Sequence, residues 1–269
     1  MEAQTGREEQ APRALAETGG DAEPMIRMEG VTKSFGGRVI LDALDLEVPR
    51  GKITVVMGGS GHGKSTILKL IVGFMRPEAG RILIEGRNVL EMSPDARLDV
   101  QKTIGMSFQY AALFDSMTVF ENCAFPLREH TRLAEPEIRE RVLQVLERLG
   151  LPGAGDKMPS DLSGGMKKRV GVARAIMLQP KIMLFDEPES GLDPITTTNI
   201  GELIMEMRDA FKITCLVISH HLDNTRLIAD KVSMLYKGKI IAEGTAAELD
   251  ATPNPILQQF LLGRSQGPY

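Results

Sequence analysis

One stretch of this chain decides its fold: Ile53-Thr-Val-Val-Met-Gly-Gly-Ser-Gly-His-Gly-Lys-Ser65. Its first five residues are apolar or β-branched, which predicts a buried β-strand. The next eight match the pattern G-x-x-x-x-G-K-[ST], and the apolar face of residues 67–71 predicts a helix behind them. A glycine-rich loop between a strand and a helix is typical of a phosphate-binding loop, because backbone N–H groups and the helix N-terminus attract anions.

This loop predicts a site for a nucleoside triphosphate. We expect Lys64 to reach the β- and γ-phosphates and the Ser65 hydroxyl to ligate Mg²⁺. His62 occupies a free position of the pattern, where we expect its backbone N–H to matter more than its imidazole. The residues predicted to contact the nucleotide are Gly58, Gly59, Ser60, Gly61, His62, Gly63, Lys64, Ser65 and Thr66.

A second apolar run, Ile182–Phe185, ends in the acidic pair Asp186-Glu187. Acids at the carboxyl end of a central strand lie at the edge where open α/β sheets bind ligands. We expect Asp186 to hold Mg²⁺ through water and Glu187 to polarise an attacking water as a general base.

Strands and helices alternate along the chain, which predicts an α/β fold with a mainly parallel central sheet. Residues 25–50 alternate apolar and polar side chains around a turn at Gly36-Gly37, which predicts an N-terminal antiparallel β subdomain. Thr214–Ile218 is a near-continuous apolar run, as a central parallel strand requires. Helical spacing of apolar residues predicts an inserted helical subdomain at about residues 110–178.

The composition excludes several classes of protein. Lys and Arg number 32 against 36 Asp and Glu, and Trp is absent, so a nucleic-acid partner is not expected. Residues 1–24 are acidic without apolar periodicity, which predicts a disordered tail. Cys123 and Cys215 stand far apart, which indicates reduced thiols. No apolar run approaches the ~18 residues that span a bilayer, and no secretory signal is visible, so we expect any membrane role to be peripheral.

The pentad Leu162-Ser-Gly-Gly-Met166 lies between the phosphate-binding loop and the acidic strand end. Together these motifs resemble the ATP-binding cassette (ABC) ATPases, a family of P-loop NTPases. Gln109 matches the family's Q-loop glutamine, Ser190–Asp193 its D-loop, and His220 its switch histidine, which contacts the γ-phosphate. The resemblance covers about residues 25–248. It implies an ABC ATPase domain at 25–250, followed by a C-terminal extension at 251–269.

The resemblance also implies an ATPase that uses ATP and Mg²⁺ and works as a homodimer. In family geometry the pentad opens a helix whose positive end closes over the γ-phosphate held by a second copy. Phe35 is placed like the aromatic residue that stacks on adenine, although a core strand residue would look the same in the sequence. The implied catalytic residues are Glu187, His220 and Lys64, and the implied metal ligands are Ser65, Gln109 and Asp186. The residues implied to bind ATP across the dimer are Ser163, Gly164, Gly165, Met166 and Asp193.

Finer features resemble the Mla/Mkl group within this family. They are Met166 in place of the usual glutamine, the segment 108–131 and the segment 254–263, whereas Leu192 departs from the glutamine of the group's nearest members. The resemblance implies ATP-driven transport of phospholipid, or a related hydrophobic molecule, at the cytoplasmic face of the inner membrane. The implied partners are an MlaE-like permease and an MCE-domain protein reached through it, with a STAS-domain subunit as a further candidate.

Other functions stay open. An ABC importer for a polar solute such as an amino acid carries the same motifs, and only the segments at 106–131 and 254–263 favour lipid. Cassette ATPases of DNA repair or translation usually carry coiled-coil insertions or a second cassette, and neither is seen. A P-loop kinase or GTPase would leave residues 162–166 unexplained. The apolar residues between 113 and 125 fit either a subdomain core or a groove for a permease helix.

Overall fold

The computed structural model describes residues 23–269, so the predicted disordered tail at 1–24 lies outside it except for its last two residues. The strands are β1 (Ile26–Phe35), β2 (Arg38–Val48), β3 (Ile53–Met57), β4 (Ala79–Ile84), β5 (Arg87–Asn88), β6 (Ile104–Ser107), β7 (Ile182–Asp186), β8 (Thr214–Ser219), β9 (Lys231–Tyr236) and β10 (Lys239–Gly244). The helices are α1 (Lys64–Val72), α2 (Pro94–Lys102), α3 (Val119–His130), α4 (Glu135–Arg148), α5 (Gly164–Ile176), α6 (Pro194–Phe211), α7 (Leu222–Ile228), α8 (Ala246–Asp250) and α9 (Pro255–Leu261).

A mainly parallel sheet forms the centre of the molecule, with strand order β10-β9-β3-β8-β7-β6. The neighbouring strands are parallel except for β9 and β10, which are antiparallel. Every residue of β3 and β8 is buried, as expected for strands covered on both faces. Side chains of β3 alternate between two cores, with Val55 in one and Val56 in the other. The predicted parallel sheet is therefore confirmed.

A second sheet, with strand order β2-β1-β4-β5, is antiparallel. Ile26 of β1 pairs with Val48 on one side and with Ile84 on the other. The turn Gly36-Gly37 has φ angles of +56° and +80°, and glycine suits this two-residue hairpin because both positions need positive φ. The apolar face of this sheet packs against α1 and so holds the end of the phosphate-binding loop in place.

Helices α3, α4 and α5 form the helical part of the insertion, with a shared apolar core. Helix α3 begins at Val119 behind a capping box made by Thr118 and Glu121. The preceding residues 110–118 are turns rather than helix, and the buried Asn122 amide holds them. Its Nδ2 donates to the carbonyls of Phe114, Met117 and Thr118 at 3.0–3.1 Å, and its Oδ1 accepts the Phe114 N–H at 2.9 Å.

The last described residues fold back onto the central domain. The Tyr269 ring lies 5.1 Å from Tyr236 of β9 and 5.4 Å from Phe260 of α9. The Tyr236 hydroxyl also donates to the Pro268 carbonyl at 3.0 Å. Residues after α9 therefore pack near the strand that neighbours β3.

Cys123 and Cys215 are both free and buried, in agreement with the predicted reduced thiols. Burial raises the pKa of each thiol to about 12, so both stay protonated near neutral pH. Within residues 23–269, no helix combines the length and the apolar character that crossing a membrane requires.

Candidate active site

The phosphate-binding loop joins β3 to α1 and curls around the Lys64 side chain. Lys64 is buried, and its Nζ donates to the carbonyls of Gly58 at 2.8 Å and Gly59 at 3.0 Å. Burial lowers the pKa of Lys64, and the nearby Glu187 carboxylate opposes this shift. Gly63, just before α1, has a φ of +99°, and a Cβ there would lie 2.9 Å from Ile40. Only glycine fits this position without strain or displacement.

The His62 imidazole packs among aromatic rings and does not line either cavity beside the loop. Its centroid lies 5.5 Å from those of Tyr236 and Tyr269, and its Nδ1 is 3.3 Å from the Tyr269 hydroxyl. Burial lowers the pKa of His62, which favours the neutral imidazole. This placement supports the expectation that the His62 backbone, rather than its side chain, serves the nucleotide.

Ser65 and Asp186, two of the predicted metal ligands, are in direct contact. The Ser65 hydroxyl donates to Asp186 Oδ1 at 2.9 Å. Burial raises the pKa of Asp186, and this hydrogen bond opposes the shift. A hydroxyl and a carboxylate are hard oxygen ligands of the kind that Mg²⁺ takes, so the pair fits the predicted ion.

Gln109, the third predicted metal ligand, lies on the other side of Glu187. Its Nε2 donates to Glu187 Oε2 at 3.3 Å and to Ser190 Oγ at 3.1 Å. The structure thus brings the Gln109 amide nitrogen to the general-base candidate and to the predicted D-loop. The amide oxygen is the atom that would ligate Mg²⁺, so the ligand role of Gln109 stays a prediction. Nothing in the sequence signals the contact with Ser190, because the two residues are 81 positions apart.

The Glu187 carboxylate is the point where the predicted catalytic groups meet. Its Oε1 lies 3.6 Å from Lys64 Nζ and 3.5 Å from His220 Nδ1. Its backbone has a φ of +46°, a conformation that non-glycine residues seldom adopt and that clusters at functional sites. Lys64 and His220, the other two predicted catalytic residues, therefore both approach Glu187.

The topology of the central sheet explains this meeting. Glu187, His220 and the loop before Lys64 directly follow β7, β8 and β3, and Gln109 lies two residues after β6. These strands are parallel and occupy adjacent positions, so their carboxyl ends share one edge. Residues far apart in the sequence therefore converge at this edge.

A cavity of about 380 Å³ lies beside the phosphate-binding loop, between Phe35 and Glu187. The Phe35 side chain is 48% exposed, so the alternative that it fills the core is wrong. Lys33 Nζ lies 5.4 Å from the centroid of the Phe35 ring. Ile40 supplies a further apolar wall. The cavity has the aromatic and phosphate-binding ends that a nucleotide requires.

The pentad lies at the start of α5, where Ser163 is the exposed N-cap and accepts the Met166 N–H at 3.3 Å. Asp193 caps α6 in the same manner by accepting the Thr196 N–H at 3.0 Å. The two helix starts are adjacent, since a Cβ on Gly165 would lie 2.9 Å from Thr196. Among the described residues, those of the pentad line neither cavity beside the phosphate-binding loop.

Sequence reasoning missed several residues around this site. His221 is half-buried and caps α7, where its Nδ1 accepts the Asn224 N–H at 3.4 Å. Lys168 and Glu189 are also buried here, at 7% and 4% exposure. A lysine and an acid in strongly polar segments give no signal of burial in the sequence.

Comparison with known proteins places these features in a family. Residues 41–190, more than half of the chain, match the family described as ABC transporter. The intermembrane phospholipid transport system ATP-binding protein MlaF of Escherichia coli K12 is 46% identical over 244 residues, which cover 91% of this chain and 91% of that protein. The probable ribonucleotide transport ATP-binding protein mkl of Mycobacterium leprae is 42% identical, covering 94% of this chain and 74% of that protein.

Solved structures agree with the sequence comparison. The cbiO1 protein of Clostridium perfringens, part of the cbiONQ ABC transporter complex, matches with a TM-score of 0.79 at 31% identity, over 86% of this chain and 92% of that chain. A dimeric, post-hydrolysis structure of the cassette MJ0796 with ADP and Pi matches with a TM-score of 0.75 at 29% identity, over 82% and 99%. The enzyme is an ATPase with the P-loop ABC fold. The chain therefore belongs to the ABC transporter family.

Proposed function

We propose that this chain is the ATP-hydrolysing subunit of an ABC transporter complex that moves phospholipid, or a related hydrophobic molecule, between membranes. The placement of Glu187 between Lys64 and His220 is the observation that carries the chemistry. The 46% identity to MlaF, over nine-tenths of both chains, supports phospholipid as the transported molecule.

The positions of the polar groups assign each a step in hydrolysis. The loop amides and Lys64 hold the β- and γ-phosphates, with Ser65 and Asp186 as the residues that would hold Mg²⁺. When bound, the ion would neutralise part of the negative charge on the phosphates. Glu187 takes the proton of the attacking water as the new O–P bond forms and the bond to ADP breaks. His220, 3.5 Å from Glu187, contacts the γ-phosphate.

A second copy of the chain completes each site. Ser163 and Asp193 are exposed caps on adjacent helices, and their amide ends attract phosphate. In one chain they lie outside the cavities beside the phosphate-binding loop, so they act on a nucleotide held by the partner. Two ATP molecules are then enclosed at a two-fold interface. The dimer of MJ0796 supports this arrangement.

A groove of about 440 Å³ beside the helical subdomain receives the permease. Phe114 and Phe125 line it with ring centroids 5.2 Å apart, and Arg174 lies over Phe114 at 5.6 Å. Val119, from the same apolar segment, is buried in the core instead. The segment therefore contributes both to the core and to the lining of the groove. We propose that the groove accepts the apolar face of a cytoplasmic helix from an MlaE-like permease.

The proposed contact with the permease also determines where in the cell we expect the chain to work. The chain is a peripheral protein at the cytoplasmic face of the inner membrane, held there by the permease. An MCE-domain protein joins through the permease, and a STAS-domain subunit is a further partner. None of these contacts requires an apolar span in this chain.

A polar solute is the second candidate substrate, because the mycobacterial relative is named a probable ribonucleotide transport protein. The test is to purify the chain with the permease encoded beside it, identify bound molecules by mass spectrometry, and measure ATP turnover in vesicles. We expect co-purified phospholipid and turnover that rises with phospholipid, with Glu187→Gln as the inactive control. A complex that carries no lipid and responds to a ribonucleotide or an amino acid would overturn the lipid proposal.

A further inference from the structure

Lys168 is a buried lysine beneath the site that the hydrolysis scheme above does not use. It is the fifth residue of α5, the helix that Ser163 caps, and it is 7% exposed. Its Nζ donates to the backbone carbonyl of Gln109 and, at 3.4 Å, to that of Glu187. One side chain therefore joins α5, the helix at whose start the pentad lies and which is called the pentad helix below, to the loops that follow β6 and β7.

The backbone of Glu187 is held in an unusual conformation by several hydrogen bonds, and the contact with Lys168 is one of them. Glu187 has a φ of +46°, a conformation that persists only where the surroundings hold it. Its N–H donates to the Ile218 carbonyl at 3.0 Å, and its carbonyl accepts the Ser190 N–H at 3.1 Å. Lys168 adds the only side-chain donor to this carbonyl within residues 23–269, and a charged donor makes a stronger bond than a neutral one.

Glu189 supplies the opposite charge in the same interior. It is 4% exposed; one carboxylate oxygen accepts from the Ser219 hydroxyl, and the other has no partner among the described residues. The Ser219 oxygen also accepts the His221 N–H at 2.9 Å, next to His220. Burial lowers the pKa of Lys168, and Glu189 is the first of the carboxylates that oppose this shift. Burial in turn raises the pKa of Glu189, and no ion pair joins it to Lys168 among the described residues.

We propose that Lys168 is a positioning residue for ATP hydrolysis: it fixes the Glu187 and Gln109 backbones to the pentad helix. The helix is rigid, and Lys168 is little more than one turn from Ser163. A shift of Ser163 on meeting the partner's nucleotide is thereby passed to the general base of the same chain. This inference rests on the proposed role of Glu187.

The test compares Lys168→Met with the matched control Lys167→Met, which alters the neighbouring half-buried lysine of the same helix. Turnover is measured as phosphate release, and affinity by binding of a fluorescent ATP analogue. We expect Lys168→Met to lower kcat between about tenfold and a hundredfold while KM for ATP stays within about twofold, because positioning acts on the transition state. Lys168→Arg keeps charged donors and should recover most of kcat, and Lys167→Met should keep wild-type kcat.

A second variant separates positioning from charge effects, since Lys168→Met also removes a positive charge from the interior that holds Glu189. The pair Lys168→Met with Glu189→Gln keeps the interior neutral and is compared with Glu189→Gln alone. We expect the double variant to stay at least about tenfold lower in kcat. Equal kcat in these two proteins, or wild-type kcat in Lys168→Met, would overturn the inference. Wild-type turnover in Glu187→Gln would instead remove the proposed function itself.

Discussion

At the scale of single residues, the site depends on side chains that lie close to the Glu187 carboxylate. Lys64, buried at the base of the loop, lies 3.6 Å from this carboxylate, and His220 approaches the same oxygen at 3.5 Å. The left-handed backbone of Glu187 costs about 1–3 kcal/mol, which the surrounding hydrogen bonds must offset. The general-base candidate is thus fixed by its neighbours before any nucleotide binds.

The exposed ring of Phe35 leads to a prediction about affinity. Loss of stacking on adenine in Phe35→Ala should weaken ATP binding by about 1–3 kcal/mol, which is the range measured for stacking of a base on an aromatic residue. Titration with a fluorescent ATP analogue measures this change. Phe74→Ala, at an exposed phenylalanine outside the cavity, is the control and should bind normally. Equal ATP affinity in the two variants would show that Phe35 does not stack on adenine.

Contact between Ser65 and Asp186 leads to a prediction about the metal. Asp186→Asn removes the carboxylate but keeps the shape, so the Mg²⁺ concentration needed for half-maximal turnover should rise by about tenfold or more. Chelation of Mg²⁺ should stop the wild-type enzyme, and added Mg²⁺ should restore it. An unchanged Mg²⁺ requirement in Asp186→Asn would argue against this ligand.

At the scale of elements, parallel strands place the chemistry and the helical subdomain connects it to a partner. The strands β3, β8, β7 and β6 end at one edge, so the loops after them form the site. Helix α3 follows the turn-rich residues 110–118, which begin just after Gln109. The buried Asn122 amide ties those turns to α3. The groove that we propose for the permease therefore lies directly beside the loop that carries Gln109.

Asn122→Ala should show this connection. It removes the side-chain partner of several part-buried carbonyls and of the Phe114 N–H, so the free energy of unfolding should fall by roughly 1–3 kcal/mol in urea denaturation. We also expect the stimulation of turnover by the permease to fall more than the basal turnover. Gln144→Ala on the exposed face of α4 is the control and should change stability by less than about 0.5 kcal/mol. If both variants unfold at the same urea concentration, Asn122 does not hold the turns.

The sequence predicted those parts of the fold that follow from local patterns. Apolar runs located β3, β7 and β8, and the glycine pattern located the start of α1. Contacts between distant segments carried no such pattern, and these include the His62 packing against Tyr269, the Gln109 contact with Ser190 and the burial of Lys168. The same holds for residues 110–118, where one buried amide favours turns over helix. Long-range packing decides these features, and local propensity does not encode it.

At the scale of the whole molecule, one chain carries two groups of functional residues that do not face the same cavity. The phosphate-binding loop and Glu187 face one cavity, whereas the caps of α5 and α6 lie outside it. In the dimer that we propose, a two-fold axis brings each group to its complement and encloses the nucleotide. Under this proposal, ATP binding favours the closed dimer and hydrolysis releases it, which provides a cycle that a permease can use.

A large charged side chain at the pentad should prevent dimer formation without preventing ATP binding. Ser163→Arg, added to Glu187→Gln, places a large side chain at the cap, so we expect each chain to bind ATP but remain monomeric. Light scattering after size exclusion with ATP measures the mass. Ser160→Arg, at an exposed serine before the pentad, is the control and should still dimerise. A dimer of normal stability in Ser163→Arg would show that the pentad lies away from the interface.

The most direct test of the account is the behaviour of Glu187→Gln with ATP and Mg²⁺. The amide keeps the shape of the carboxylate and one acceptor oxygen but cannot take a proton from water. We predict turnover at least about a hundredfold below wild type, together with a stable dimer that retains two ATP molecules. The measurement is phosphate release combined with the mass and bound nucleotide of the same sample. Wild-type turnover, or an inactive protein that stays monomeric with ATP bound, would contradict the account.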